Sequence, residues 1–241
     1  MSKTTELLAN VSIFKGLSAD ALGGLAQSLR PMTFTREAVI VGQDDHGDAL
    51  YIIESGRVKV VLYGDSGREM ILTLFRPGDF FGEMSLLDGQ PRSANVIAVE
   101  DSRVLMLSRE DFVRHLEQSP STALNILAEM SRRLRRADDI IGNLALLDVY
   151  GRLARVLIDL AHREGVTTDE GTLIRERPTQ QDLASMIGTS RETVSRVLSE
   201  FQRRGFVSMQ GKSLLLSQGF VEQSLAMLDA SKETATPGEG G

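Results

Sequence analysis

Two stretches of the chain hold side chains whose types and spacing could do chemistry. In Phe80-Phe81-Gly82-Glu83-Met84-Ser85-Leu86-Leu87 a strand end runs into a short helical turn, and Asp88-Gly89-Gln90-Pro91-Arg92-Ser93-Ala94 follows. The first turn of a helix leaves backbone N–H groups free, and Gly82 beside them would let an anion come close. Arg92 could then clamp a phosphate with its fork of donors, while Glu83 could accept hydrogen bonds from a sugar hydroxyl. The second stretch opens at Pro178, where Thr179 is placed to cap a helix carrying Leu183, Ala184 and Ile187. Gly188-Thr189-Ser190 makes a tight turn, and Arg191–Arg204 forms a further helix. Its Val194, Val197, Leu198 and Phe201 share a buried stripe, which leaves Arg191, Glu192, Ser195 and Arg196 pointing away together.

Helix, glycine turn and helix are the parts of a helix-turn-helix. In a major groove, Arg suits guanine O6 and N7, and Glu can accept from cytosine N4. The segment Gly205–Leu216 adds two short strands around a Gln-Gly-Lys turn, a wing whose Lys212 could reach a phosphate. A helix-turn-helix with a wing is a DNA-binding module.

These residues need elements to hold them. Between Met32 and Leu107 the texture is short β-like runs, among them Ala49–Glu54, Arg57–Tyr63, Met70–Phe75, Asn95–Val99 and Arg103–Leu107. Glycines 47, 56, 67, 78 and 89 break the runs at fairly even intervals and read mostly as turns, the pattern of a small barrel or roll. Alternation assigns Val58, Val60 and Leu62 to one interior row. Ahead of the roll, Leu7, Leu8, Val11 and Phe14, then Ser18 as N-cap before Ala21, Leu22, Leu25 and Leu29, predict short helices.

Behind the roll, Ser121 to about Leu147 reads as one long helix. Leu127, Met130, Leu134, Ala137, Ile141 and Leu144 recur there in steps of three and four. So narrow a seam, flanked by Arg132, Arg133, Arg135, Arg136, Asp138 and Asp139, is the pattern of a helix that pairs with a copy of itself. Asp148-Val149-Tyr150-Gly151-Arg152 breaks that helix and opens another, with Leu153, Val156, Leu157 and Leu160 inward. Gly165–Gly171 reads as a polar loop, Phe220–Leu228 as an amphipathic piece, and Ser231–Gly241 as a disordered tail.

Composition narrows the chemistry. With 41% hydrophobic and 25% charged residues, 241 residues suffice for two cored domains. Zero cysteines exclude disulfides and cysteine-ligated zinc or clusters, and His46, His115 and His162 are too scattered for a metal motif. No nucleophile–base pair stands out, so no enzyme is expected. A formal charge of −6 argues against a general basic coat, so DNA contact must come from a local patch. No run approaches a membrane span and the Met-Ser-Lys start lacks an apolar signal region, which gives a cytoplasmic expectation.

The run from Gly82 to Ala94 resembles the phosphate-binding cassette of cyclic-nucleotide-binding domains, with Gly82, Glu83, Met84, Arg92, Ser93 and Ala94 filling its pattern without a gap. Gly47–Gly56 and Gly67-Arg68-Glu69 extend the likeness over nearly all of residues 10 to 115. Ser190–Arg196 resembles the recognition helix, and Gly142–Val149 the hinge, of the cyclic-AMP receptor protein / fumarate-nitrate regulator family of bacterial transcription factors. The resemblance implies an α+β chain. It would hold a nucleotide-binding β-roll (jelly-roll) over 1–120, a dimerisation helix over 121–147 and a winged helix-turn-helix over 148–230, before the tail at 231–241.

It further implies that Glu83 binds the ribose hydroxyl, Arg92 the cyclic phosphate, and Ser93 the phosphate or base. Double-stranded DNA at a TGTGA-like palindrome would meet Thr179, Gln181, Ser190, Arg191, Glu192, Thr193, Arg196 and Lys212, and RNA polymerase would meet Gly165–Gly171. At the base-facing turn, where the family offers two hydroxyls, this chain has Ala137 and Asp138. A carboxylate there could accept from guanine N1–H and its amino group, whereas adenine N1 is an acceptor. The ligand order expected is cAMP slightly ahead of cGMP, with cyclic di-GMP third. The rival readings are a haem sensor of the same superfamily and a ligand-independent regulator with a vestigial pocket.

Overall fold

The computed structural model describes residues 2–220; the expected amphipathic piece after Phe220 and the tail lie outside them. Among the described residues the chain forms two units that divide between Asp138 and Asp139, inside the long helix.

Serine caps start the first unit. Ser2 accepts from Thr5 N–H ahead of α1 (Lys3–Asn10), and Ser18 accepts from Ala21 N–H ahead of α2 (Ala19–Ser28), with a 3-10 turn at Ser12–Phe14 between them. Eight strands follow: β1 (Arg30–Phe34), β2 (Val39–Val41), β3 (Ala49–Ser55), β4 (Val58–Tyr63), β5 (Glu69–Phe75), β6 (Phe80–Phe81), β7 (Asn95–Ala98) and β8 (Ser102–Ser108). They make two antiparallel sheets of order β1-β8-β3-β6 and β2-β7-β4-β5. The short helix α3 (Glu83–Asp88) interrupts them, and α4 (Arg109–Gln118) and α5 (Pro120–Leu146) follow.

Period-two alternation splits the first sheet between two cores. Leu50, Ile52, Leu105 and Leu107 pack against Leu8, Phe14, Leu25, Phe112 and Ile126 on the helices. Ile53 and Val104 look the other way and meet Val58, Phe75 and Val96 of the second sheet. The expected interior row of β4 holds for Val58 and Val60, which pack in the same core, but not for Leu62. Pairing with β5 shifts register between Val60 and Val61, and this bulge makes Val58 and Val61 the buried positions, with Val60 and Leu62 only half-buried.

The second unit is built on α6 (Val149–Glu164), capped by Asp148 accepting from Gly151 N–H. Leu153, Leu157 and Leu160 of α6 share a core with Leu183, Ile187, Val194, Val197, Leu198 and Phe201. These belong to α7 (Gln180–Ile187) and α8 (Arg191–Arg203). A four-stranded antiparallel sheet of order β11-β12-β10-β9 closes it, from β9 (Val166–Thr168), β10 (Gly171–Ile174), β11 (Val207–Gln210) and β12 (Ser213–Ser217). The stretch expected to be a loop at Gly165–Gly171 is therefore a strand and turn. Val166-Thr167-Thr168 is β-branched throughout, and it pairs with Gly171–Leu173.

Turn glycines differ in what they tolerate. Gly56 (φ +85°) and Gly67 (φ +72°) both sit in the left-handed region, but a Cβ at Gly56 would run into Ser102 and the Asp101 carbonyl, whereas at Gly67 it meets open space. Gly56→Ala is expected to cost about 2–3 kcal/mol and Gly67→Ala about 1 kcal/mol. Urea unfolding midpoints that fell equally for both would contradict this.

Candidate functional site

The first site grows from the end of β6. Phe80 and Phe81 are buried apolar anchors, after which Gly82 turns left-handed (φ 88°) to start α3. Glu83, the first residue of α3, is 1% exposed. A carboxylate so far from water needs a cation. Arg133 of α5 supplies it, with Nη1 donating to Glu83 Oε1 at 2.7 Å, Nη2 to the Phe80 carbonyl at 2.8 Å, and Nε to Glu129 Oε1 at 3.3 Å. The Arg133 guanidinium also lies 4.6 Å from the Phe80 ring centre and 5.2 Å from that of Phe75. Burial still holds the Glu83 carboxyl above the usual carboxylate range, with the Arg133 charge opposing it. Burial would raise Glu129 too, but the hydrogen bond from Arg132 and the charge of Arg133 bring it below that range. The second oxygen of Glu83, Oε2, is buried without a hydrogen-bond partner.

Arg92 is also buried. Its Nη1 donates to the Gly82 carbonyl at 2.6 Å and its Nη2 to the Ala49 carbonyl at 2.7 Å. A Cβ at Gly82 would come 2.7 Å from Nη1, and one at Gly47 would come 2.6 Å from Nε. Gly47 was read as a turn; its use is clearance for Arg92. Beside the guanidinium, Tyr51 stacks on Phe81 at 5.2 Å and Phe81 on Phe75 at 6.5 Å. One aromatic column thus has Arg92 at its Tyr51 end (5.9 Å) and Arg133 at its Phe75 end. Five guanidinium N–H groups per arginine leave donors beyond those spent on carbonyls and carboxylates. The site offers an unpartnered buried carboxylate oxygen and a second arginine within a glycine-lined approach, the donor and acceptor set of a phosphorylated sugar.

Sequence reasoning brought Gly82, Glu83 and Arg92 to one place, and the structure joins them. Ala94 is buried behind them, while Ser93 and Met84 are exposed and their Oγ and Sδ stand 3.8 Å apart. Ala137 and Asp138 are exposed, one helical turn beyond Arg133. Arg133 itself was seen only as a flanking charge. The signal that could have found it is that same spacing, together with its Glu129 partner four residues back.

In the second unit, Thr179 and Asp182 form a capping box that starts α7, and Gly188 (φ 65°) ends it. Ser190 caps α8 by accepting from Thr193 N–H. Arg191, Glu192 and Arg196 are exposed on the face opposite Val194 and Val197, with Thr193 half-buried, and Thr179 and Gln181 are exposed at the start of α7. Its own backbone N–H and the Ser190 hydroxyl hold the Glu192 carboxyl below the usual range. Lys212 is exposed in the β11–β12 turn, beside Gly211 (φ 58°).

A β-roll in which Glu83 and Arg92 meet at Gly82, joined through a long helix to a winged helix-turn-helix, defines a class: DNA-binding transcription regulators. Residues 31–119 match the cyclic nucleotide-binding domain and residues 151–218 the Crp-like helix-turn-helix domain. The chain is 36% identical over 214 residues, 88% of its length and 95% of the relative's, to the CRP-like cAMP-activated global transcriptional regulator of Mycobacterium tuberculosis. It is 38% identical to the Cyclic AMP receptor protein of Thermus thermophilus over 197 residues, 82% and 88% of the two chains. Among solved structures, the c-di-GMP responsive regulator CLP of Xanthomonas campestris is similar with a TM-score of 0.71 at 27% identity, covering 83% of this chain and 99% of that one. The protein belongs to the CRP/FNR family of transcription regulators.

Removing Arg133 should expose the cost of the Glu83 burial. Arg133→Met is expected to destabilise the fold by about 3 kcal/mol near neutral pH, the cost of leaving a buried carboxylate alone. A carboxyl raised in the folded state binds more protons there than in the unfolded chain, so stability falls as pH rises from its unfolded towards its folded value. The variant's deficit should therefore shrink on acidification towards the ordinary glutamate range. Chemical denaturation at about pH 7.5 and about pH 4.5 measures it, and a deficit that did not depend on pH would place the damage elsewhere.

Proposed function

We propose that this regulator is gated by a cyclic nucleotide and binds DNA as a homodimer. The carrying observation is Glu83 Oε2, buried and without a hydrogen-bond partner while Arg133 holds the other carboxylate oxygen, an acceptor suited to a ribose hydroxyl. Gly82, Arg92 and Ser93 would hold the phosphate, with Met84 and Ala94 as apolar walls. The bound nucleotide supplies charge to the arginines and a hydroxyl to Glu83. The chain's own part is to favour one of two arrangements through contacts that differ between them.

The dimer is supported by the exposed apolar row of α5. Leu127, Leu134 and Ile141 are 63–64% exposed, and Ala137 and Leu144 lie on the same side. Met130 is half-buried against its own domain and only edges that seam. Two copies of the recognition helix would fit half-sites about one helical turn, ~34 Å, apart, in a TGTGA-like palindrome read by Arg191, Glu192 and Arg196. Thr179, Gln181, Ser190 and Thr193 would position the helix on the backbone, with Lys212 on a phosphate. RNA polymerase is the further partner proposed, at Gly165–Gly171, which spans β9 and the turn after it. No helix among the described residues is long and apolar enough to cross a membrane.

The ligand proposed is cAMP, the nucleotide in the names of the Mycobacterium and Thermus relatives. Asp138 in place of a hydroxyl brings cGMP within about tenfold of it, a gap of ~1.4 kcal/mol. Cyclic di-GMP comes third. Calorimetry against all three nucleotides, on wild type, Arg92→Leu and Asp138→Ser, tests the assignment. Arg92→Leu should lose binding with the fold intact, and Asp138→Ser should widen the preference for cAMP. A hundredfold discrimination against cGMP by wild type would end the guanine reading, and DNA affinity indifferent to any of the three would make the pocket vestigial.

At the DNA, Glu192→Ala should relax preference at one base pair by about 1–3 kcal/mol. Lys212→Ala should weaken all sites alike and flatten the salt dependence. A binding selection in which Glu192→Ala keeps the wild-type consensus would refute this orientation of α8.

A further inference from the structure

The nucleotide site and the exposed seam of α5 share an edge. With Leu127, Leu134 and Ile141 at heptad position a, and Met130, Ala137 and Leu144 at d, Arg133 falls at g and Asp138 at e. The chain's own domain covers the g edge, since Ile126, one heptad before Arg133, is buried in the domain core and Met130 packs beside it. Arg133 therefore stands where the domain, its own helix and any parallel partner helix meet. In a parallel pair, a g residue faces the e residue of the partner's next heptad, five positions on. For Arg133 that residue is Asp138.

We propose that in the homodimer the partner subunit's Asp138 pairs with Arg133, completing a chain of charges from Glu83 through Arg133 to the other subunit. The proposal rests on the dimer reading above and gives Asp138 a role that needs no nucleotide. Donor accounting allows it. Arg133 spends one N–H on Glu83, one on the Phe80 carbonyl and one on Glu129, which leaves two of the five. Asp138 is exposed and forms no ion pair among the described residues. Charge favours the parallel register, because the remaining facing pairs, Ile126 with Ser131 and Ile140 with Ala145, carry none. Asp139 falls at f, directed away from the seam. Whatever draws on Glu83 is then felt at the subunit interface, and by linkage dimerisation acts back on the nucleotide site.

Sedimentation equilibrium of the full chain without nucleotide tests this. Asp138→Lys, which sets like charges face to face at two symmetric places, should raise the dimer dissociation constant at least tenfold at low salt, and less so in high salt. Asp138→Asn, which only removes the attraction, should raise it about threefold. Asp139→Lys should leave it within about twofold, as befits an f position. A dimeric wild type whose association responds equally to Asp138→Lys and Asp139→Lys would overturn the pairing while sparing the dimer. A wild type that stays monomeric at all concentrations would overturn the dimer reading first.

Discussion

A carboxylate withdrawn from water governs the first unit. Glu83 sits where β6 ends and α3 begins, and its charge is tolerable only because α5 brings Arg133 to it. That one ion pair fastens a helix distant in sequence onto the start of α3. Arg133 in turn is fixed by three acceptors and two aromatic faces, so it cannot shift without disturbing Glu83, Glu129 and the Phe80 carbonyl together. A ligand that took up the spare oxygen of Glu83 would act on this network, and the network would act on the helix.

The helix has to serve two faces. Thr122, Ile126, Met130 and Arg133 turn towards the unit's own core and site, while Leu124, Leu127, Leu134 and Ile141 stay open. An α-helix with apolar residues on two sides is committed by neither alone. The same 27-residue element continues past Asp138 into the second unit, so it belongs to both bodies.

Much of this was legible in the sequence because periodicity and capping are local. The N-caps at Ser18 and Thr179, the strand runs, the two helices of the DNA-binding module and the apolar row of α5 follow from patterns within a few residues. What escaped depends on contacts between distant segments. The bulge at Val60–Val61 is a property of pairing with β5, so a strict alternation extended the interior row to Leu62 and missed Val61. Arg133 lies 50 residues from Glu83, and its local pairing with Glu129 marks it as a helix-face charge without pointing to Glu83. Gly47 read as a turn because its use, clearance for Arg92, exists only once β3 and the Arg92 loop are neighbours. The cassette from Gly82 to Ala94 was visible as a motif, but its aromatic column of Tyr51, Phe81 and Phe75 was assembled by three strands.

The charge of the DNA-binding module follows from the same separation of local and global. A chain of net −6 carries seven basic against four acidic residues between Arg175 and Lys212, so the module is locally positive. Two of those acids are committed to the fold. Asp182 closes the capping box of α7, and Glu200 is held by Arg203 and Arg204 at the far end of α8. Glu192 is different, exposed at the first turn of α8, with its carboxyl held below the usual range by its own N–H and Ser190. An isolated carboxylate facing phosphates would only weaken binding. Its place on an otherwise basic face is reasonable if it accepts from a base, where the repulsion it adds everywhere becomes a preference for the sites that offer a donor.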